Sequence, residues 1–222
     1  MRELPDCSIK LIVTDPPYKT ISGGSGRKGD GSPTGILSKN DGKIFEHNAI
    51  NFKEFFNEAY RVLETNSHMY VMTNFVNLEM MLKLGRESGF DVHNLLVWEK
   101  NTATPNRWYM KNVEYTIFFR KGKAFSINNC GSKTSHSFNN VRDREHPTQK
   151  PVDLMAYYIE NSSEPNDVVL DPFMGSGTTA IACLQTGRAY TGFEIDLEYY
   201  NKSLSRIDRY MEELNGNILN AE

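Results

Sequence analysis

Apolar positions along the chain switch between two periods, and the switches mark the elements. The run Leu11-Ile12-Val13 predicts a strand over Lys10 to Thr14 that stops at Asp15-Pro16-Pro17-Tyr18. Proline lacks a backbone donor and fixes φ, so the chain must leave the sheet there. Phe52, Phe55, Phe56, Ala59, Tyr60 and Leu63 fall at helical spacing. Met69 to Thr73 reads as a buried strand, followed by a helix from about Leu78 to Glu87 that ends near Gly89. Strands are predicted at Val92–Trp98 and Val113–Arg120, the second placed to pair with Phe125–Ile127, while Asn128 to Glu145 is polar and has no clear period. Pro151 suits the first residue of a helix running to about Asn161. A strand at Val168–Leu170 ends at Asp171, and Gly175-Ser176-Gly177-Thr178-Thr179 opens a helix through Leu184. A last strand, Ala189–Phe193, ends at Glu194 before an amphipathic helix from Leu197 to about Leu214.

Strands alternating with helices predict an α/β fold with a mostly parallel, doubly wound sheet. Ligands gather in such sheets where strands end at their carboxyl edge. Asp15, Asp171 and Glu194 therefore share one rim, and chemistry is expected there.

Composition narrows the class without naming a function. The 222 residues are 39% apolar and 24% charged, which excludes a disordered chain, a collagen and a coiled coil. They are read as one domain over residues 1–222. No apolar run approaches the roughly 20 residues a bilayer needs, and Met1-Arg2-Glu3-Leu4-Pro5-Asp6 is not read as a leader. Cys7, Cys130 and Cys183 are scattered, with neither a disulfide framework nor metal-ligand spacing. A reduced cytoplasm, no membrane and no metal are the expectations. Net charge is −3, yet between Lys19 and Lys43, Lys19, Arg27, Lys28, Lys39 and Lys43 outnumber Asp30 and Asp41, within the Gly-rich segment 19–50, read as a mobile loop. Lys123, Lys133, Arg142 and Arg144 likewise outnumber Asp143 and Glu145. Such local excess fits nucleic acid as well as a merely solvated loop.

Two constellations carry chemistry. In the first, glycines after Asp171 let backbone approach a ligand, the following helix N-terminus favours negative groups, and Glu194, 23 residues on, can accept from both hydroxyls of a ribose. A helix-capping turn would use the glycines too, but not the acid. No Lys follows Gly177 as in a phosphate loop, and no G-x-G-x-x-G run favours a dinucleotide. A nucleoside-containing cofactor is the reading. In the second, the paired prolines make an awkward strand-ending turn but hold a carbonyl and a carboxylate rigidly towards one point. If Asp15 and the Pro16 carbonyl accept both hydrogens of an amino group on a flat heterocycle, electron density rises on its nitrogen. Tyr18 then offers a stacking face worth about 1–3 kcal/mol.

Asp15-Pro16-Pro17-Tyr18 followed later by Asp171-Pro172-Phe173-Met174-Gly175-Ser176-Gly177-Thr178-Thr179 resembles the DNA amino-methyltransferases that use S-adenosylmethionine. The order is that of their permuted β group. His146-Pro147-Thr148-Gln149-Lys150-Pro151 is similar to a third signature, and Val97-Trp98-Glu99-Lys100-Asn101 and Glu114-Tyr115-Thr116-Ile117-Phe118-Phe119 resemble lesser blocks. The resemblance implies a Rossmann-like methyltransferase sheet with a terminal antiparallel strand. It makes Asp15, Pro16, Pro17 and Tyr18 the catalytic amino-group site. It makes Asp171, Phe173, Gly175, Ser176, Gly177, Thr178 and Glu194 contacts of S-adenosylmethionine, with His146, Thr148, Gln149 and Lys150 on the methionine side. The group's usual first strand and Gly-Asp pair have no counterpart in the 14 residues before Asp15.

The resemblance also implies methyl transfer to the 6-amino group of adenine in double-stranded DNA, since Asp in the tetrapeptide goes mostly with adenine and Ser with cytosine. The base would be flipped out of the duplex. Residues 123–145 form a small target-recognition insert, and the protein is a monomer or homodimer. The cytosine 4-amino group and a catalytically impaired DNA-binding remnant remain alternatives. A nicotinamide oxidoreductase leaves Asp15-Pro16-Pro17-Tyr18 and the His146 hexapeptide unexplained.

Overall fold

A computed structural model describes residues 1–17, 50–104, 109–123, 125–141 and 149–219. In chain order the elements are β1 (Ile9–Thr14), α1 (Phe52–Val62), β2 (Leu63–Thr73), α2 (Phe75–Glu87), β3 (Asp91–Thr104), β4 (Lys111–Lys121), β5 (Ser135–Phe138), α3 (Val152–Ser162), β6 (Val168–Asp171), α4 (Thr178–Thr186), β7 (Ala189–Gly192) and α5 (Leu197–Leu219). The strands form one seven-stranded sheet in the order β5-β3-β4-β2-β1-β6-β7.

Alternation along each strand builds the two layers. Ile12, Met69, Val71, Ile117, Phe119 and Leu170 point to one face and pack with Phe55, Phe56, Ala59 and Val62 of α1 and Met81 of α2. Their neighbours Leu11, Val13, Tyr70, Met72, Phe118 and Val169 point to the other and pack with α3 and α4. A period of two with both faces covered is what a doubly wound sheet requires. The helices are stopped and started by local chemistry: Asn51 and Asn74 accept from Glu54 N and Asn77 N at the starts of α1 and α2. Gly187, at φ 74°, closes α4. Among the described residues no helix is long and apolar enough to cross a membrane.

The α/β class stands, with two corrections in detail. The antiparallel strand is not terminal: β4 runs against both β2 and β3, inside the sheet. Six residues separate β3 from β4, and so short a connection reaches only an antiparallel neighbour. Phe125–Ile127 does not pair with β4, because β2 and β3 occupy both of its edges. The sheet instead ends on Ser135–Phe138, parallel to β3, within a stretch whose sequence lacks a clear period. Residues 18–49, most of the Gly-rich segment, lie outside the described residues.

Candidate active site

β1, β6 and β7 are parallel neighbours, so Asp15, Asp171 and Glu194 do emerge on one rim. What each does there differs. Asp171 is buried, and all its bonds are internal. Its Oδ1 accepts from Thr14 Oγ1 at 2.6 Å and Phe173 N at 3.1 Å, and its Oδ2 accepts from Thr179 Oγ1 at 2.6 Å. Burial raises its carboxyl to about 6 despite these donors. The residue ties the end of β1 to the glycine turn and to α4.

The turn itself is shaped by two glycines at positive φ, Gly175 at 52° and Gly177 at 76°. A Cβ at Gly177 would stand 3.2 Å from Ile207 Cδ1 and 3.3 Å from Ser203 Cβ, so only glycine seats the turn on α5. Glu194 closes the other side. Its Oε2 accepts from Gly175 N and its Oε1 from Asp196 N, each at 2.9 Å. A carboxylate has about four acceptor positions, which leaves this half-buried one able to accept from further hydroxyls. Ser176 and Thr178 are buried, and Arg206 of α5 donates to the Ser176 carbonyl at 2.9 Å, its hydroxyl at 3.2 Å and the Thr178 hydroxyl at 3.1 Å. Phe173 packs against Phe55, ring centroids 5.3 Å apart. A cavity of about 530 Å³ opens next to Phe193, between Met1, Arg2, Glu3 and the start of α1.

Asp15 sits in the opposite situation. Its side chain keeps 18% of its surface exposed. Its Oδ2 accepts from Lys150 Nζ, whereas its Oδ1 is buried with no hydrogen-bond partner among the described residues. Burial pushes the carboxyl up, Lys150 pulls it back, and Glu114 pushes it up again. Lys150 is buried and also stands 3.5 Å from Glu114 Oε2, and Lys100 donates to Glu114 Oε1. Burial alone would raise Glu114, but the two ammoniums outweigh it and the net shift is downward. Pro16 is buried and Pro17 half-buried directly after Asp15. Gln149 precedes Lys150, while Tyr18, His146 and Thr148 lie outside the described residues.

The sequence reading missed Glu114, Lys100, Arg206, Thr14 and Thr179 as contributors. A charged residue inside an apolar strand was the available signal for Glu114, and the second Thr of the Gly-Ser-Gly-Thr-Thr run for Thr179. Arg206 carries no local signal, because its partners are 28 and 30 residues away.

Comparison with known proteins bears on this geometry. The family model described as DNA methylase, for N6 and N4 methyltransferases, matches residues 9–205. The Type II methyltransferase M2.MboI of Moraxella bovis is 29% identical, over 93% of this chain and 83% of that protein. The crystal structure of an M1.HpyAVI–SAM complex superposes with a TM-score of 0.68 at 26% identity, over 92% of this chain and 90% of that one. PvuII DNA methyltransferase, described as cytosine-N4-specific, has a TM-score of 0.69 over 100% of this chain and 89% of its own, but at 18% identity it shows the fold alone.

Proposed function

The chain belongs to the DNA methylase family, as an amino-methyltransferase using S-adenosylmethionine, and from that premise we propose that its target is the 6-amino group of adenine in double-stranded DNA. The observation that supports an amino group as the target is the buried, unpartnered Oδ1 of Asp15 beside a rigid double proline; the choice of adenine over cytosine rests on the Asp that heads the tetrapeptide. A buried acceptor left without a donor costs about 1–3 kcal/mol, and on the strand-end rim, next to the double proline, this one can be relieved by a donor from a ligand. An exocyclic amino group is such a donor.

S-adenosylmethionine, when bound, supplies an electrophilic methyl group on a sulfonium. The residues present suit it. Gly175 and Gly177 offer bare backbone at positive φ, and Glu194 retains acceptor capacity for a ribose. Phe173, Gly175, Ser176, Gly177, Thr178 and Glu194 would form the nucleoside side, and His146, Thr148, Gln149 and Lys150 the methionine side. Asp171 would act from beneath, by fixing the turn through its bonds to Thr14, Phe173 and Thr179.

At the reacting nitrogen the protein's work is positioning. Asp15 Oδ1 accepts one amino hydrogen and the Pro16 carbonyl the other, which raises electron density on nitrogen and aims its lone pair. Tyr18 stacks on the flipped base. After transfer the nitrogen must shed a proton, and a carboxylate whose proton affinity burial has raised is placed to receive it. Segments 19–50 and 123–145, with their local positive charge, would contact the duplex and read the target, the protein acting as a monomer or homodimer in the cytoplasm.

Incubation with radiolabelled S-adenosylmethionine and duplex DNA, followed by mass identification of the modified nucleoside, tests the reading. N6-methyladenine is expected. N4-methylcytosine would replace adenine with cytosine as target, and no transfer together with retained DNA binding would identify an impaired remnant.

A further inference from the structure

β4 carries a carboxylate, Glu114, at the half-buried end of a strand whose centre, Thr116 to Phe119, is buried in the sheet. Because β4 runs against β2, its first residues lie level with the end of β2: Thr73, the last residue of β2, is opposite Tyr115. Glu114 therefore reaches the same rim as Asp15. On the far side Trp98 of β3 is opposite Glu114, and Lys100, two residues on, donates to Glu114 Oε1 while its Nζ lies 5.2 Å from the Trp98 ring centroid. Lys150 donates to Asp15 Oδ2 and lies between it and Glu114, 3.5 Å from Glu114 Oε2 in a charge contact rather than a hydrogen bond. The four side chains form a row of alternating sign, Asp15, Lys150, Glu114 and Lys100, gathered from β1, the segment before α3, β4 and β3.

An ammonium is a rotatable point charge, and a carboxylate offers it two equal oxygens. Held by Asp15 alone, Lys150 could swing to Oδ1 and occupy the place a substrate donor needs. A second carboxylate on its other side removes that freedom. Resting on the reading that Asp15 receives the target amino group, we propose that Glu114, backed by Lys100, is a positioning residue for methyl transfer: it anchors the Lys150 ammonium on Asp15 Oδ2, so that Oδ1 is the oxygen presented to the substrate.

The test compares full-length Glu114→Gln, which keeps the side chain's shape, and Lys100→Met, which keeps its length without the charge, with the parent. Both variants are expected to lose about 10–100-fold in kcat, the scale of a small misplacement at a reacting centre, with a smaller change in KM for S-adenosylmethionine, since Lys150 also belongs to the methionine side of the proposed site. A second readout needs neither cofactor nor DNA: the ¹³C carboxyl titration of Asp15. The charged groups facing Asp15 are Lys150, Glu114, Lys100 and, from β6, Asp171. Removing the negative Glu114 moves the Asp15 titration to lower pH, and removing the positive Lys100 moves it to higher pH. Shifts of opposite sign show that both charges lie in the field of Asp15, and the loss of kcat shows that they position the reacting oxygen. Should Glu114→Gln fail to fold, as read by near-UV circular dichroism, the Lys100 variant at its partly exposed site decides alone. Wild-type kcat in the folded variants, or titrations moving together or not at all, overturns the inference. Wild-type turnover in Asp15→Asn would instead overturn the underlying function, whereas an inactive Asp15→Asn beside a fully active Glu114→Gln overturns only the role of Glu114.

Discussion

Two aspartates end neighbouring parallel strands, and burial pushes both carboxyls up, yet they serve opposite purposes. Asp171 is saturated: two threonine hydroxyls and a backbone N–H fill both of its oxygens. Asp15, one residue beyond the Thr14 that Asp171 holds, is filled on one oxygen and empty on the other. A satisfied buried carboxylate rigidifies; a half-satisfied one waits for a ligand. The saturated residue thus fixes the backbone that carries Asp15. Glu114 Oε2 on the same rim also lacks a hydrogen-bond partner among the described residues, so the hydrogen-bond count separates Asp171 from the charged row and not one member of that row from another.

Substitutions sharpen that contrast. Asp15→Ala is expected to lower turnover by about 10²–10³-fold or more, the scale of losing one preorganised polar group at a transition state, while the melting temperature stays near that of the parent because Lys150 retains Glu114. Asp171→Ala should do the reverse. Stranding the Thr14 and Thr179 hydroxyls is expected to cost about 2–4 kcal/mol of stability, seen in chemical denaturation, with activity falling through that loss and through the loosened cofactor turn. Gly177→Ala places a Cβ at φ 76° against α5 and should cost about 1–2 kcal/mol, together with weaker S-adenosylmethionine binding by calorimetry. If Asp171→Ala proved stable but inactive, the contrast would break.

A further effect, visible only across a pH series, is a pair of opposed slopes. Burial holds His68 down to about 4, where it bonds Ser162 at 2.9 Å. Below pH 6.5 the unfolded chain takes up a proton there that the folded chain refuses, so stability falls as pH drops from about 6.5 towards 4. Asp171, raised to about 6, binds its proton first in the folded state, so its contribution to stability increases as pH falls from about 6 to 4. Asp171→Asn is expected to unmask the His68 slope and steepen the loss across that window by about 1–3 kcal/mol, read from denaturation midpoints.

Local pattern made much of this legible. The Leu11-Ile12-Val13 run, the helical spacing from Phe52 and the strand–glycine–helix–strand–acid succession each place an element within a few residues of where it forms, and they put the three strand-end carboxylates on one rim. Strand order was not legible, because nothing in the Val113–Arg120 segment records that it inserts between β2 and β3. Nor was β5, whose Ser135-His136-Ser137-Phe138 carries little apolar signal and acquires its partner, Val97–Lys100, only through the fold. The charged row escaped for a related reason. Lys100 and Glu114 stand in separate sequence blocks, and only the antiparallel register of β3 and β4 brings them together.

Single-turnover methylation of duplex DNA by Asp15→Asn, with S-adenosylmethionine affinity measured in parallel, addresses the empty oxygen most directly. The amide keeps the carboxylate's shape but loses its charge, and with Lys150 donating to the remaining oxygen it turns an NH2 donor towards the substrate amino group. The expected result is transfer slowed by about 10²-fold or more with cofactor affinity unchanged. Transfer at the parental rate would contradict the assignment of Asp15 as the acceptor of the target amino group.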